Sequence, residues 1–126
     1  NPGGVRIGTA EIYRVVEAFS EIDDSLVIGQ EWQGDQRVIL FLKLKNNGIL
    51  SDDLSINIKT AVRSNCSPRH VPEKILAIKD IPYTINGKKV EIAVKKIIQG
   101  EDVTNRDALA NPESLECFKN IPELLV

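Results

Sequence analysis

Apolar residues in this chain recur first at helical spacing and then at strand spacing. Ile12, Val15, Val16 and Phe19 fall at i, i+3, i+4 and i+7, which predicts one buried face of a helix. Thr9 stands where an N-cap belongs, Glu11 adds negative charge to the first turn, and Asp23-Asp24 ends the helical region. A strand then runs from Leu26 to about Trp32, Gly34-Asp35 signals a turn, and Val38 to Leu44 forms a second strand. The two predict a hairpin, closed off by Asn46-Asn47-Gly48.

Ser51 followed by Asp52 and Asp53 reads as a second helix start, and Leu54, Ile58, Ala61 and Val62 supply its apolar stripe. Ser67-Pro68-Arg69-His70-Val71-Pro72 breaks that helix. Lys74 to Ile78 reads as a third strand, continuing into Ile81-Pro82. Val90, Val94, Ile97 and Ile98 form a third helical face that Gly100 ends. Beyond it the chain is more polar, with a short helix expected from Asn111-Pro112-Glu113 through Leu115 and Phe118. The order predicts an α+β fold: a small sheet made of a β-hairpin and a third strand, covered by about three helices.

The chain has 126 residues, enough for one domain with a modest core. Its net charge of -2 gives no reason to expect a nucleic-acid partner. No apolar run approaches the ~20 residues that span a bilayer, and NPGGVRIGTAEI has neither a basic n-region nor an apolar h-region. There is no methionine, and NPGG reads as the middle of a loop, so the chain is expected to be part of a longer protein. Cys66 and Cys117 form no CxxC pair, and His70 has no ligand-like spacing to them. No metal site is expected, and both thiols are expected reduced, in the cytoplasm.

The stretch IPYTINGKK, Ile81 to Lys89, is the most unusual. Pro82 stiffens the approach, and Asn86-Gly87 can take the positive φ of a tight turn. Lys88 then falls at the expected start of a helix, the wrong end for a cation that answers only the helix dipole. An anion nearby, a carboxylate or a phosphate, would account for it. An ordinary solvated Lys88-Lys89 pair accounts for it as well. The stretch is not a P-loop, because Pro82 replaces the first glycine and Lys89 replaces Ser or Thr. Near the start, Gly3-Gly4 permits close approach to the backbone, and Arg6 could clamp a phosphate or be a surface arginine on a flexible linker.

Together these pieces resemble the adenylate-forming acyl-CoA synthetases. GGVRIGTAEI looks like the loop and helix that open the small C-terminal domain of that family, and Pro82-Tyr83-Thr84-Ile85-Asn86-Gly87-Lys88 matches its P-x-T-x-x-G-K motif. The match covers Asn1 to about Gly100, so the resemblance implies that 1–100 is the mobile C-terminal domain and 101–126 an extension. A large N-terminal domain would be its partner. NPGGVRIGTAEIYRVV, PRHVPEKI, IPYTINGKKVEIAVKKI and ALANPESL are similar to the branch that acts on acetoacetate.

The resemblance implies a ligase working in two steps. Acetoacetate and ATP give acetoacetyl-AMP and pyrophosphate, and coenzyme A then takes the acyl group and releases AMP. ATP and its Mg2+ would be bound mainly by the N-terminal domain. Lys88 would be the catalytic lysine of the first step, with Gly87 in its turn. Arg6 would contact the nucleotide phosphate, and Gly4 would line the pantetheine tunnel. Arg63 would lie near the 3′-phosphate of coenzyme A, although a helix C-terminal cation is an equal account of it. Lys89 has no family role and is expected to be solvated. The resemblance further implies control of Lys88 by a lysine acetyltransferase and deacetylase. Another short-chain acyl-CoA synthetase, or a binding module without catalysis, remains an alternative.

Overall fold

The computed structural model describes residues 9–101, 103, 108–119 and 121–125. Its elements are α1 (Thr9–Val16), β1 (Ile22–Trp32), β2 (Asp35–Leu44), α2 (Asp52–Asn65), β3 (Lys74–Ala77) and α3 (Glu91–Ile98). Short 3-10 segments follow at Pro112–Phe118 and Pro122–Leu125. β1 and β2 are antiparallel and pair from Trp32 opposite Asp35 back to Ile22 opposite Leu44. β3 joins the other side of β2 in parallel, with Ile39 opposite Lys74 and Leu42 opposite Ala77. β2 is therefore the central strand and β1 an edge. α2 makes the crossover that a parallel pair requires.

Three local expectations shift. Asp23 and Asp24 lie inside β1 rather than ending a helix, because α1 stops at Val16 and the strand begins at Ile22 across a bulge. The hairpin turn is Gln33-Gly34, not Gly34-Asp35, since Asp35 already pairs with Trp32. Gln33 (φ 51) and Gly34 (φ 80) are both left-handed, as a two-residue hairpin loop demands. The third strand ends at Ala77, one residue early. The Ser51 start holds: its hydroxyl accepts the Leu54 N–H at 3.1 Å.

The run Val38 to Leu44 is almost continuously apolar because β2 is covered on both faces. Leu26, Ile28, Ile39 and Phe41 face one way, against Ala93, Val94 and Ile97 of α3 and against Leu109, Leu115, Phe118 and Leu124. Val27, Leu40 and Leu42 face the other, against Ile12 and Val16 of α1 and Leu54, Ile58 and Val62 of α2. The stretch after Gly100 thus supplies four buried residues to the same core as α3. Phe118 meets Phe41 edge to face, with ring centroids 4.8 Å apart. Buried Arg37 and Gln30 tie this stretch to the hairpin: Arg37 Nη2 and Gln30 Nε2 donate to the Leu124 carbonyl at 3.1 and 3.0 Å.

Candidate functional site

The motif turn is built from backbone bonds around Thr84. The Thr84 N–H donates to the Lys88 carbonyl at 2.8 Å, and the Gly87 N–H donates to the Thr84 carbonyl at 2.9 Å. The Thr84 hydroxyl accepts the Lys88 N–H at 3.1 Å. Ile85, Asn86 and Gly87 therefore form a three-residue hairpin loop, and Tyr83 faces Lys89 across it. Of the Asn86-Gly87 pair only Gly87 is left-handed, at φ +81. A Cβ placed on Gly87 would meet nothing within 4 Å, so glycine is needed there for its backbone and not for space.

Lys88 does not start a helix. α3 begins at Glu91 with Val90 as its cap residue, so Lys88 belongs to the return strand of the hairpin. In extended backbone successive side chains point to opposite sides. Lys88 is exposed, and among the described residues its ammonium has no partner.

Lys89 is not solvated, contrary to expectation; its side chain is only 20% exposed. Its three ammonium donors go to Glu17 Oε2 at 2.8 Å, Asp24 Oδ1 at 2.8 Å and the Ser25 carbonyl at 2.6 Å. The ammonium also lies 4.4 Å from the centroid of the Tyr13 ring. The neighbours are themselves bonded. Tyr83 donates to Asp24 Oδ2, Tyr13 donates to Glu91 Oε2, and the Ser25 hydroxyl donates to Glu17 at 2.6 Å. The Tyr13 hydroxyl accepts the Val27 N–H at 2.9 Å. This cluster joins α1, the edge strand β1, the motif turn and α3.

Electrostatics keep the cluster in one protonation state. Burial lowers the Lys89 pKa, but hydrogen bonds and charge from Asp24 and Glu17 outweigh it and leave the group above its ordinary 10.5. Burial, and then the bond to Asp24, push Tyr83 up to about 12. Burial and the bond to Glu91 hold Tyr13 well above its ordinary range. At neutral pH the lysine is charged and both phenols keep their protons.

The other expected site residues divide between regions. Gly4 and Arg6 lie outside the described residues. Gly87 is in the Lys88 turn. Arg63 is exposed in the last turn of α2, in the layer on the opposite face of the sheet from α3. The sheet thus separates Arg63 from the layer in which the motif turn packs through Ile81, Tyr83 and Val90. An open cleft of about 810 Å³ lies between α1 and α2, lined among others by Arg14, Phe19, Asn65 and Cys66. Cys66 packs in that layer and Cys117 in the other, both as free thiols. Burial pushes the Cys66 thiol up. Among the described residues no group of three or more His, Cys, Asp or Glu side chains could hold a metal ion.

No family model matches the chain. Among curated proteins it is 56% identical over 125 residues to an acetoacetyl-CoA synthetase of Gallus gallus, covering 98% of this chain and 19% of that protein. It is 52% identical over 124 residues to acetoacetyl-coenzyme A synthetase of Rhizobium meliloti (strain 1021), with 98% and 19% covered. Among solved structures it superposes on the acetoacetyl-CoA synthetase from Streptomyces lividans with a TM-score of 0.83 and 38% identity, over 91% of this chain and 18% of that one. The chain belongs to the adenylate-forming acyl-CoA synthetase family. It spans about a fifth of the length of the relatives it matches, 19% in both curated cases. A Brucella canis acyl-CoA synthetase shares the fold at a TM-score of 0.67 and 20% identity, over 75% of this chain and 18% of that one.

For this family member, then, the turn that carries the P-x-T-x-x-G-K motif is a hairpin anchored beneath by Lys89 and exposing Lys88 just past its loop. Sequence reasoning missed the anchor because Glu17, Asp24 and Tyr13 are distant in the chain. One signal was present: two adjacent residues in an extended segment cannot face the same side, so only one of two neighbouring lysines could be aimed outward.

Proposed function

We propose that this chain is the C-terminal domain of an acetoacetate–CoA ligase and that Lys88 serves its adenylation step. The observation that carries the reading is an exposed ammonium, without a partner among the described residues, on a turn held by backbone bonds around Thr84 and by its bonded neighbour Lys89. A rigidly presented cation is what two reacting anions need. An acetoacetate carboxylate oxygen attacks the α-phosphorus of ATP, the bond from that phosphorus to the α,β-bridging oxygen breaks, and pyrophosphate leaves with that oxygen. Lys88 holds charge between carboxylate and phosphate as the new bond forms. In the second step the thiol of coenzyme A attacks the acyl carbonyl, AMP leaves, and the thiol proton passes to solvent.

Arg63 on the opposite layer from α3 supports a domain that offers one face to each step, with Arg63 toward the 3′-phosphate of coenzyme A. Gly4 and Arg6 keep their expected roles at the pantetheine and the nucleotide phosphate. A larger domain holds most of the ATP and acid sites, and the chain by itself has no ligase activity. Acetylation of Lys88 by an acetyltransferase, reversed by a deacetylase, would remove the charge and stop adenylation. A ligase of this kind fits the cytoplasm. Consistent with that setting, no helix among the described residues is long and apolar enough to cross a membrane.

The test is acetoacetate-dependent ATP–pyrophosphate exchange by the full-length protein that carries this chain, with and without Lys88→Ala. The expected result is a loss of about a thousandfold or more in exchange, while supplied acetoacetyl-AMP is still converted to thioester. Exchange that prefers another acid would move the substrate, and equal loss of both steps would remove the assigned role.

A further inference from the structure

The stretch after Gly100 does more than fill the core. Residues 108–111 run beside the motif turn and pair with it through one isolated antiparallel bridge. The Ile85 N–H donates to the Ala108 carbonyl at 2.9 Å, the Ala110 N–H donates to the Tyr83 carbonyl at 2.9 Å, and Thr84 pairs with Leu109. Asn111 then closes the arrangement with its side chain. Its Oδ1 accepts the Tyr83 N–H at 2.9 Å, and its Nδ2 donates to the Ile81 carbonyl at 2.8 Å and to Asp80 Oδ2 at 3.3 Å. One amide thus satisfies backbone groups on both sides of Pro82, which has no N–H of its own to offer.

Asn111 is itself fixed. Its carbonyl accepts the Ser114 N–H at 3.0 Å and the Ser114 hydroxyl at 2.7 Å, at the start of the Pro112–Phe118 segment that carries buried Leu115 and Phe118. The core therefore connects through Asn111 to the strand that leads into the Lys88 turn. Lys89 holds the returning strand to β1, and Asn111 holds the leading strand to the tail. Thr84, the residue around which the turn is bonded, lies between the two.

We propose that Asn111 is a positioning residue for Lys88, so that the segment after Gly100 is a working part of the adenylation site. The proposal rests on the reading of Lys88 as the adenylation lysine. A misplacement of about 1 Å at a reacting group can cost on the order of a hundredfold in rate. Loss of Asn111 frees the Tyr83 N–H and the Ile81 carbonyl, which lets the turn shift without removing any charge from it.

The test measures both half-reactions in the full-length protein for Lys88→Ala, Asn111→Ala and the near-isosteric Asn111→Asp. Asn111→Asp keeps the acceptor for Tyr83 but loses both amide donations and sets a second carboxylate against Asp80 and the Ile81 carbonyl. The expected result is a fall in exchange kcat of about tenfold to a hundredfold for Asn111→Ala, with KM for ATP unchanged and thioester formation from supplied acyl-AMP within about twofold of wild type. Asn111→Asp should fall at least as far as Asn111→Ala, because repulsion from Asp80 and the Ile81 carbonyl adds to the lost donations. Exchange unaffected by either Asn111 variant, with Lys88→Ala inactive, would overturn the proposal and leave the function standing. Equal loss of both half-reactions would reduce Asn111 to a structural residue and overturn it too. Intact exchange in Lys88→Ala would remove the function, and the proposal with it.

Discussion

Lys88 and Lys89 are adjacent in sequence and identical in chemistry, yet their surroundings are opposite. One is exposed, with no partner for its ammonium among the described residues. The other spends all three donors on Glu17, Asp24 and the Ser25 carbonyl. The difference comes from backbone geometry: the return strand of the hairpin turns neighbouring side chains to opposite sides. The inward lysine is structural, and its anchoring is what gives the outward one a defined direction. If Lys88 serves the proposed adenylation step, such a base suits it, because the turn is ordered before any reactant arrives.

Replacing each lysine in turn sharpens this contrast most. Lys89→Ala leaves Glu17 and Asp24 facing each other without their cation and should cost about 2 kcal/mol of stability. Lys88→Ala should change stability by less than about 0.5 kcal/mol, as surface substitutions do. Urea unfolding of both variants reads this directly, and equal losses would break the distinction. A smaller effect is expected at the loop that precedes them. Gly87→Ala keeps every contact but forces a side chain into the left-handed region, at a cost of about 1–2 kcal/mol in the same measurement. A loss near zero would mean that the loop can adopt another conformation.

The mildest test is alkaline pH. Tyr83 and Lys89 both titrate higher in the folded chain than their ordinary 10.0 and 10.5. A raised folded value means stability that is whole below the ordinary pKa and is lost as pH climbs through the folded one. The melting temperature should therefore hold flat to about pH 10 and fall above it. In Tyr83→Phe the first part of that fall should shrink. A flat profile through pH 11 would show that the cluster does not couple to folding.

Much of this fold could be read in the chain because it rests on local periodicity. The stripe of α2, the strand Val38 to Leu44 and the Ser51 cap all depend on neighbours within a few residues. What failed was non-local or sensitive to single-residue register. Asp23-Asp24 look like a helix stop, but they are strand residues: pairing runs on through the bulge at Asp23, with Asp24 opposite Lys43 and Ile22 opposite Leu44. The motif singled out Lys88 in the sequence, and the structure leaves it exposed. Its placement at a helix start was not correct, because a hairpin bridge to Tyr83 takes up the residues that helical spacing would have claimed. Lys89 and Asn111 were invisible as partners, since each is bonded to groups far away in sequence.

β1 is the outer strand of its sheet and carries the apolar run Leu26-Val27-Ile28. At its middle, the outward N–H of Val27 is held by the Tyr13 hydroxyl and the Ser25 carbonyl by the Lys89 ammonium. A strand from another molecule would need those same two groups to begin pairing. It would also have to bring its own backbone up against a lysine and two carboxylates. The cluster that steadies the Lys88 turn therefore also serves as a guard against self-association, and a variant without Lys89 should be marked by precipitation on storage as well as by weaker folding.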